Sequence, residues 1–277
     1  MPISIIQSPK KTNAKELSEL VKYGIAYIPV PEDVTRKLEL IETTGKAYFQ
    51  QPKYQKKQHP FTAETYEGFL DQTTIGYAVE RYIIRASLPA DLTWKTCGAE
   101  MLELRHYFRY EIIQPLLLAL FEHLKIDPKK IQSHFNTADS TLSILYYPPC
   151  NTPDARRRLR PHEDAALMTI LWSQEPGLEV EIDDKWHINL TKKGYVIVNL
   201  GDGLNLMVDN KCHALTHRVL ISDNHSRLSI ASFYTQDPKV EFINAITGKK
   251  IADTFGEYAA NHLEKNFPKI TTLMNKA

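Results

Sequence analysis

Cysteine is too scarce in this sequence to carry a scaffold. The 277 residues hold three, Cys97, Cys150 and Cys212, far apart and odd in number, which excludes a disulfide framework and a Cys-x-x-Cys zinc pair. Isolated thiols of this kind suit a reducing compartment. Long apolar runs are missing too: the most apolar stretch, Pro115 to Phe121, is far short of the ~20 residues a membrane helix needs. The opening Met-Pro-Ile-Ser-Ile-Ile-Gln has neither the basic start nor the apolar core of a signal peptide. The expected location is the cytoplasm. Excess charge of either sign is also lacking, with 34 basic against 33 acidic residues and a net charge of +1. That balance offers no general attraction for nucleic acid or an anionic membrane. The expected partner is a small molecule, and the expected state is a monomer.

What is present is ordinary globular material, 43% hydrophobic and 24% charged, enough for one large domain or two small ones. The first half reads as mainly helical. Asn13 can cap a helix from Ala14 to Tyr23 that stops at Gly24. A short strand, Ile25 to Val30, precedes a helical pattern from Glu32 to Phe49 with Val34, Leu38 and Ile41 on one face. Residues 51 to 60 read as a Lys-rich surface loop, with Lys53, Lys56 and Lys57 as plain surface, like Lys249 and Lys250 later on. Tyr77 to Ala86 favours a strand. Helix-forming sequence runs from Glu100 to Ile126, which Pro115 should kink or split, and a short helix is expected over Pro128 to Phe135.

After residue 140 the texture changes. Short β-rich runs stand at 141–147, 163–172, 178–182, 195–200, 204–208, 212–221 and 227–234, separated by Gly, Asp, Asn and Pro, with Asp209-Asn210 as a hairpin turn. Such spacing predicts an antiparallel sandwich or jelly roll. No linker divides the chain. The expectation is therefore one α+β domain over 1–277: a mainly helical part (1–138), a jelly-roll core (139–240) and a helical tail (241–277).

Chemistry concentrates in that core. In a strand, residues i and i+2 share a face, so His162 and Asp164 would converge while Glu163 turns away. An imidazole and a carboxylate make two-thirds of the facial triad that holds non-haem iron(II). A second histidine has to come from elsewhere. His213 and His217 are spaced like a helical zinc pair, but their segment reads as strand, where four residues span about 13 Å. Only one of them can share the metal, and spacing alone leaves both open. Further on, alternation puts Arg227, Ser229, Ala231 and Phe233 on one face. An inward arginine is costly unless it meets an anion; either a ligand carboxylate or the protein's own Asp or Glu would serve.

These pieces together resemble the iron(II)/2-oxoglutarate dioxygenases of the isopenicillin N synthase-like family. The resemblance runs from His162-x-Asp164 over 53 positions (217 minus 164) to His217, then to Arg227-x-Ser229. It extends to Tyr146-Tyr147-Pro148-Pro149-Cys150, the run from His162 to Leu171, Gly177-Leu178-Glu179-Val180, Trp186, Val198-Asn199-Leu200-Gly201-Asp202 and His217-Arg218-Val219. The match is dense over about 141–238 and looser over the first 125 residues. It implies a double-stranded β-helix core, with His162, Asp164 and His217 as ligands of Fe(II), and His213 as a pocket-wall or core residue. It further implies that Arg227 and Ser229 bind the distal carboxylate of 2-oxoglutarate, with a third contact from the Tyr147 hydroxyl. Dioxygen would be the co-reactant and succinate and carbon dioxide the by-products; hydroxylation is the usual outcome, with desaturation or ring formation on the same residues.

Two departures stand out: Leu145 replaces the Asn common before the tyrosine pair, and Tyr-Ile-Pro-Val-Pro follows the first strand where Asn-His-Gly is usual. Phe233 and the Tyr77–Arg85 strand, with Arg81 and Arg85, are possible substrate walls. The basic run Arg156 to Arg160 either rims the entrance or is a solvated loop. The competing functions are an oxidase of the same fold that needs no 2-oxoglutarate, a jelly-roll binding protein without turnover, and a structural zinc site, for which the donor set lacks thiolate.

Overall fold

The computed structural model of the chain describes residues 3–75, 77–85, 94, 96–127, 139–149, 157–188, 191–220 and 225–274. The helix expected over 128–135, Cys150 and Arg156 lie outside them.

The first helix, α1 (Ala14–Tyr23), starts at a reciprocal capping box. The Glu16 backbone N–H donates to Asn13 Oδ1 at 3.0 Å, and the Asn13 N–H donates to the Glu16 carboxylate at 2.9 Å. It ends at Gly24, whose φ of +69° only glycine adopts freely. Next come β1 (Ile25–Pro29), α2 (Glu32–Phe49), the single turn α3 (Lys53–Lys56), β2 (Gly68–Asp71) and β3 (Glu80–Ile84). The long helical stretch is α4 (Gly98–Tyr107), a π-helical turn over Phe108–Ile113, and α5 (Gln114–His123). Pro115 sits in the first turn of α5. The widened turn before it accommodates a ring and a missing N–H that a regular α-helix would not.

The β-rich half supplies β4 (Asp139–Tyr147), β5 (Arg157–His162), β6 (Met168–Trp172), β7 (Leu178–Ile182), β8 (Lys185–His187), β9 (Tyr195–Leu200), a helix α6 (Asp202–Met207), β10 (His217–Leu220) and β11 (Arg227–Thr235). A small hairpin, β12 (Phe242–Ile243) with β13 (Lys250–Ala252), leads to α7 (Phe255–Asn266) and α8 (Pro268–Met274). The strands form a major sheet ordered β1-β9-β6-β11-β4-β3-β2 and a minor sheet ordered β5-β10-β7-β8.

Alternation along the major sheet gives it two different faces. One carries Leu142, Ile144, Ile170, Val198 and Ile230 into the large core shared with α2, α4 and α5. The other turns Ile25 and Ile197 toward Leu178, Val180 and Ile182 of the minor sheet. Two facing antiparallel sheets jacketed by helices make the expected α+β jelly roll, the double-stranded β-helix.

Several local expectations are corrected. The run 163–172 is not one strand: β5 ends at His162, a turn follows, and β6 begins at Met168. The run 204–208 is helical, because Leu204, Met207 and Val208 are buried at helical spacing. Asp209 and Asn210 are both left-handed but follow α6 instead of joining two strands. The hairpin turn is Asp183-Asp184, also left-handed at both positions, between β7 and β8. The mainly helical front half gives three strands, β1, β2 and β3, to the major sheet. Lys56 is no surface residue: it is buried, with Nζ 2.6 Å from a Glu80 carboxylate oxygen. Among the described residues no helix is long and apolar enough to cross a membrane.

Candidate metal centre and carboxylate pocket

The minor sheet brings the two halves of the triad together. His217, the first residue of β10, is in register with His162, the last of β5, and the two rings lie 4.3 Å apart between centroids. Asp164 stands just beyond β5, in the turn, with Oδ1 3.9 Å from His162 Nε2 and 3.8 Å from His217 Nε2. One donor atom from each residue lies within 4.8 Å of the other two. Strand alternation predicted this convergence, although the turn, not a continuing strand, delivers the carboxylate. Glu163 points away, its Oε1 accepting from the Thr216 hydroxyl at 3.4 Å.

The surroundings prepare these donors. Each imidazole has Nδ1 against a backbone carbonyl two residues back: His162 to Arg160 O at 2.8 Å, His217 to Leu215 O at 3.1 Å. A carbonyl only accepts, so Nδ1 carries the proton and Nε2 offers its lone pair inward. Asp164 Oδ2 accepts from Thr169 Oγ1 at 2.7 Å and from Asn199 Nδ2 at 3.1 Å, leaving Oδ1 to face the histidines. Burial would raise the Asp164 carboxyl, but His217, His162 and these two hydrogen bonds outweigh it and hold it below its ordinary value. Burial, and the His217 imidazole beside it, push His162 down to about 4. A carboxylate and two imidazoles that each present Nε2, converging on one point, fit a non-haem iron(II) ion.

The turn itself is clamped from behind. The Asp202 N–H donates to the Asp164 carbonyl at 2.8 Å, and a Cβ on Gly201 would stand 2.0 Å from Ala166 O. From α7, His262 Nε2 bonds the Glu163 carbonyl at 2.9 Å, while the Tyr258 hydroxyl donates to Asp202 Oδ2 at 2.9 Å. The Phe267 ring packs edge-on against His162 at 4.9 Å. His213 is not a pocket wall; it is exposed, with its N–H donating to Val21 O at 2.8 Å.

The carboxylate-binding candidates lie further along the barrel. On the major sheet Arg227 pairs with Tyr147 and Ser229 with Leu145, so all four share the inner face. Arg227 and Ser229 are buried. The guanidinium carbon sits 5.5 Å from the Tyr147 ring centroid, and Nε reaches only the Glu175 carbonyl at 3.4 Å. Among the described residues Arg227 makes no ion pair. Burial lowers its pKa. Burial likewise raises the Tyr147 hydroxyl, against the pull of Arg227, Arg81 and a Ser229 hydrogen bond. Gly177, at φ +140°, lets the chain pass Arg227, since a Cβ there would fall 2.9 Å from Arg227 Cδ.

Other predicted residues resolve into supports. Arg218 points outward, paired to Glu179 at 2.5 Å and lying over the Trp186 ring at 3.8 Å. Those three residues fix β10 with His217 inward. Arg160 lies over Phe267 at 5.2 Å and donates to Lys265 O at 3.3 Å, docking the C-terminal helices. Cys97 and Cys212 are buried, and burial pushes their thiols up to about 11 and about 12. Sequence reasoning missed Thr169, Asn199, His262 and Tyr258. The signal for the first two was a lone polar residue at an inward position of an otherwise apolar strand.

Residues 138–236, which include all six of these metal and carboxylate candidates, match the family model for the 2OG-Fe(II) oxygenase superfamily. Among curated proteins, the chain is 28% identical over 221 residues to 2-oxoglutarate-dependent dioxygenase 11 of Oryza sativa subsp. japonica, covering 74% of this chain and 60% of that one. It is 32% identical over 201 residues to 1-aminocyclopropane-1-carboxylate oxidase homolog 1 of Arabidopsis thaliana, covering 67% and 53%. The chain thus spans a little over half the length of these curated relatives. Among solved structures, a full-length Neurospora crassa protein in complex with alpha-KG and 5-formyluracil superposes with a TM-score of 0.78 at 20% identity over 96% of both chains. Since one segment holds the motif spacing, the converging donors and the family match, residues 138–236 are identified as a 2OG-Fe(II) oxygenase superfamily segment.

Proposed function

We propose that the chain is an iron(II)- and 2-oxoglutarate-dependent oxygenase that oxidises a small-molecule substrate, hydroxylation being the expected outcome, with release of succinate and carbon dioxide. It works as one domain over 1–277 and as a monomer. The observation that carries this reading is the convergence of His162, Asp164 and His217 within 4.8 Å of one another. The three would hold Fe(II). When bound there, the ion supplies the redox chemistry that couples oxidative decarboxylation of 2-oxoglutarate by dioxygen to oxidation of the substrate.

The protein's own part is positioning, charge and exclusion of water. Thr169 and Asn199 keep Asp164 ionised and aimed. The two backbone carbonyls fix the imidazole tautomers. Arg227, Ser229 and Tyr147 would take the distal carboxylate of the cosubstrate, the guanidinium supplying the planar fork that suits it. Val219, Leu159 and Leu145 pack around Tyr147 and keep that end dry, which strengthens each polar contact inside.

The test is an anaerobic iron(II) titration with and without 2-oxoglutarate. A charge-transfer band that needs both is the expected result, followed in air by 2-oxoglutarate-dependent succinate. Iron binding without any band on adding 2-oxoglutarate would instead favour an oxidase of the same fold.

A further inference from the structure

We propose that Arg81 anchors a carboxylate of the substrate, so that the oxygenase proposed above acts on a small organic acid. This rests on that reading and adds the substrate class to it.

Arg81 belongs to β3, where it is in register with Leu145 of β4, itself in register with Ser229 of β11. The register puts Arg81 on the inner face of the major sheet, within the same walls as the carboxylate pocket. Its side chain leans toward the metal end. Nη2 donates to the Ser143 hydroxyl at 2.6 Å, and the guanidinium carbon lies 5.1 Å from the Phe233 ring centroid. Its Nε is buried with no hydrogen-bond partner. No carboxylate of the described residues pairs with it. The acidic side chains near enough to act on its charge are the phenols of Tyr66 and Tyr147 and the carboxylate of Asp164, while burial lowers its pKa. Asp164 is the one carboxylate among them, and its free oxygen faces the two imidazoles.

Three other buried or half-buried cations behave differently. Lys56 meets Glu80, Lys46 meets Glu42 and Glu175, and Arg218 meets Glu179. Among the described residues Arg227 likewise makes no ion pair, and the dianionic cosubstrate would satisfy it. Iron(II), Asp164, 2-oxoglutarate and Arg227 cancel one another in charge. The Arg81 charge is then left over in a poorly solvated cavity, a costly arrangement unless an anion joins it. A hydroxyl at Ser143 and an aromatic face at Phe233 flank the position. They suit an acid with an apolar or aromatic body. Leu145, in register with Arg81 on β4, adds no competing polar group.

The same chemistry could be served by the near carboxylate of 2-oxoglutarate, so the test separates the two. Wild-type protein loaded anaerobically with iron(II) and 2-oxoglutarate is titrated calorimetrically with hexanoate, benzoate and phenylacetate and with their primary amides. At least one acid should bind about 30-fold or more tighter than its amide, the scale of losing one partner of a buried charge pair. Arg81→Gln should erase that preference, Arg81→Lys should keep part of it, and neither should shift the 2-oxoglutarate dependence of the charge-transfer band. Equal binding of every acid and its amide by the wild type overturns the proposal without any variant. A variant that weakens 2-oxoglutarate instead overturns it by moving Arg81 to the cosubstrate. Absence of the band in wild type would overturn the oxygenase reading first, and this proposal with it.

Discussion

The two regions that build the site are held in opposite ways. Along the major sheet, β4 and β11 pair without interruption from Arg227↔Tyr147 to Thr235↔Asp139, so the placing of Arg227, Ser229 and Tyr147 follows from one long register. On the minor sheet, β10 and β5 pair irregularly, with register shifts after His217 and after Val219. The triad is aimed there by short local contacts: a carbonyl behind each imidazole, Thr169 and Asn199 on Asp164, and Asp202 and His262 behind the turn. A wall set by register tolerates local change. A turn set by individual hydrogen bonds does not.

The most severe way to break this contrast is at the triad. His217→Ala should abolish iron binding and turnover, while the exposed His213→Ala keeps both; an anaerobic iron titration of the two variants decides. If His213 proved essential and His217 dispensable, the reading of β10 would be wrong. Less severe is Arg227→Ala, which should leave iron in place but weaken 2-oxoglutarate about 30-fold or more, as removal of one member of a buried charge pair does. An unchanged 2-oxoglutarate midpoint would take Arg227 out of the pocket. Smaller again, Thr169→Val should cost about 10- to 100-fold in iron affinity, typical of losing a group that orients a ligand, with the fold intact by circular dichroism. Iron affinity equal to wild type would show that Asn199 alone suffices to aim Asp164.

The mildest test is pH. His162 stays neutral in the folded protein down to about 4, against 6.5 for a free imidazole. Below 6.5 the unfolded chain takes a proton that the folded chain refuses, so metal-free stability falls as pH drops from neutral toward about 4 and then levels. Asp164, held low, acts in the same direction as its folded value is approached. His262, raised by Asp202 and the Glu163 carbonyl despite burial, acts oppositely, losing its contribution as pH rises through its folded value. Urea melts of the metal-free protein and of its His162→Asn variant from neutral pH down to about 4 isolate the His162 share; the same pH dependence in both would mean that His162 is not buried neutral.

The same contrast explains what could be read without coordinates. Helices α1 and α2 stand at the residues expected, because a capping box and apolar spacing are local signals. Strands β7, β9 and β11 likewise stand where short β-rich runs between turn residues were expected. The run 163–172 misled because an apolar, β-prone composition cannot show where a turn is clamped by Gly201 and Asp202, which come much later in the chain. The run 204–208 misled because Leu204, Met207 and Val208 satisfy a buried helix as well as a strand. Lys56 gave no signal at all, since its partner Glu80 is reached only through the fold.

By itself the sequence determined the donor types, their order and the strand face that carries Arg227 and Ser229, since those depend on local period and residue chemistry. Only the tertiary structure decided which histidine meets His162, what aims Asp164, and that Arg81 enters the same cavity without a carboxylate partner among the described residues. Those are relations between strands distant along the chain, fixed by cross-sheet register and by hydrogen bonds that no local pattern encodes.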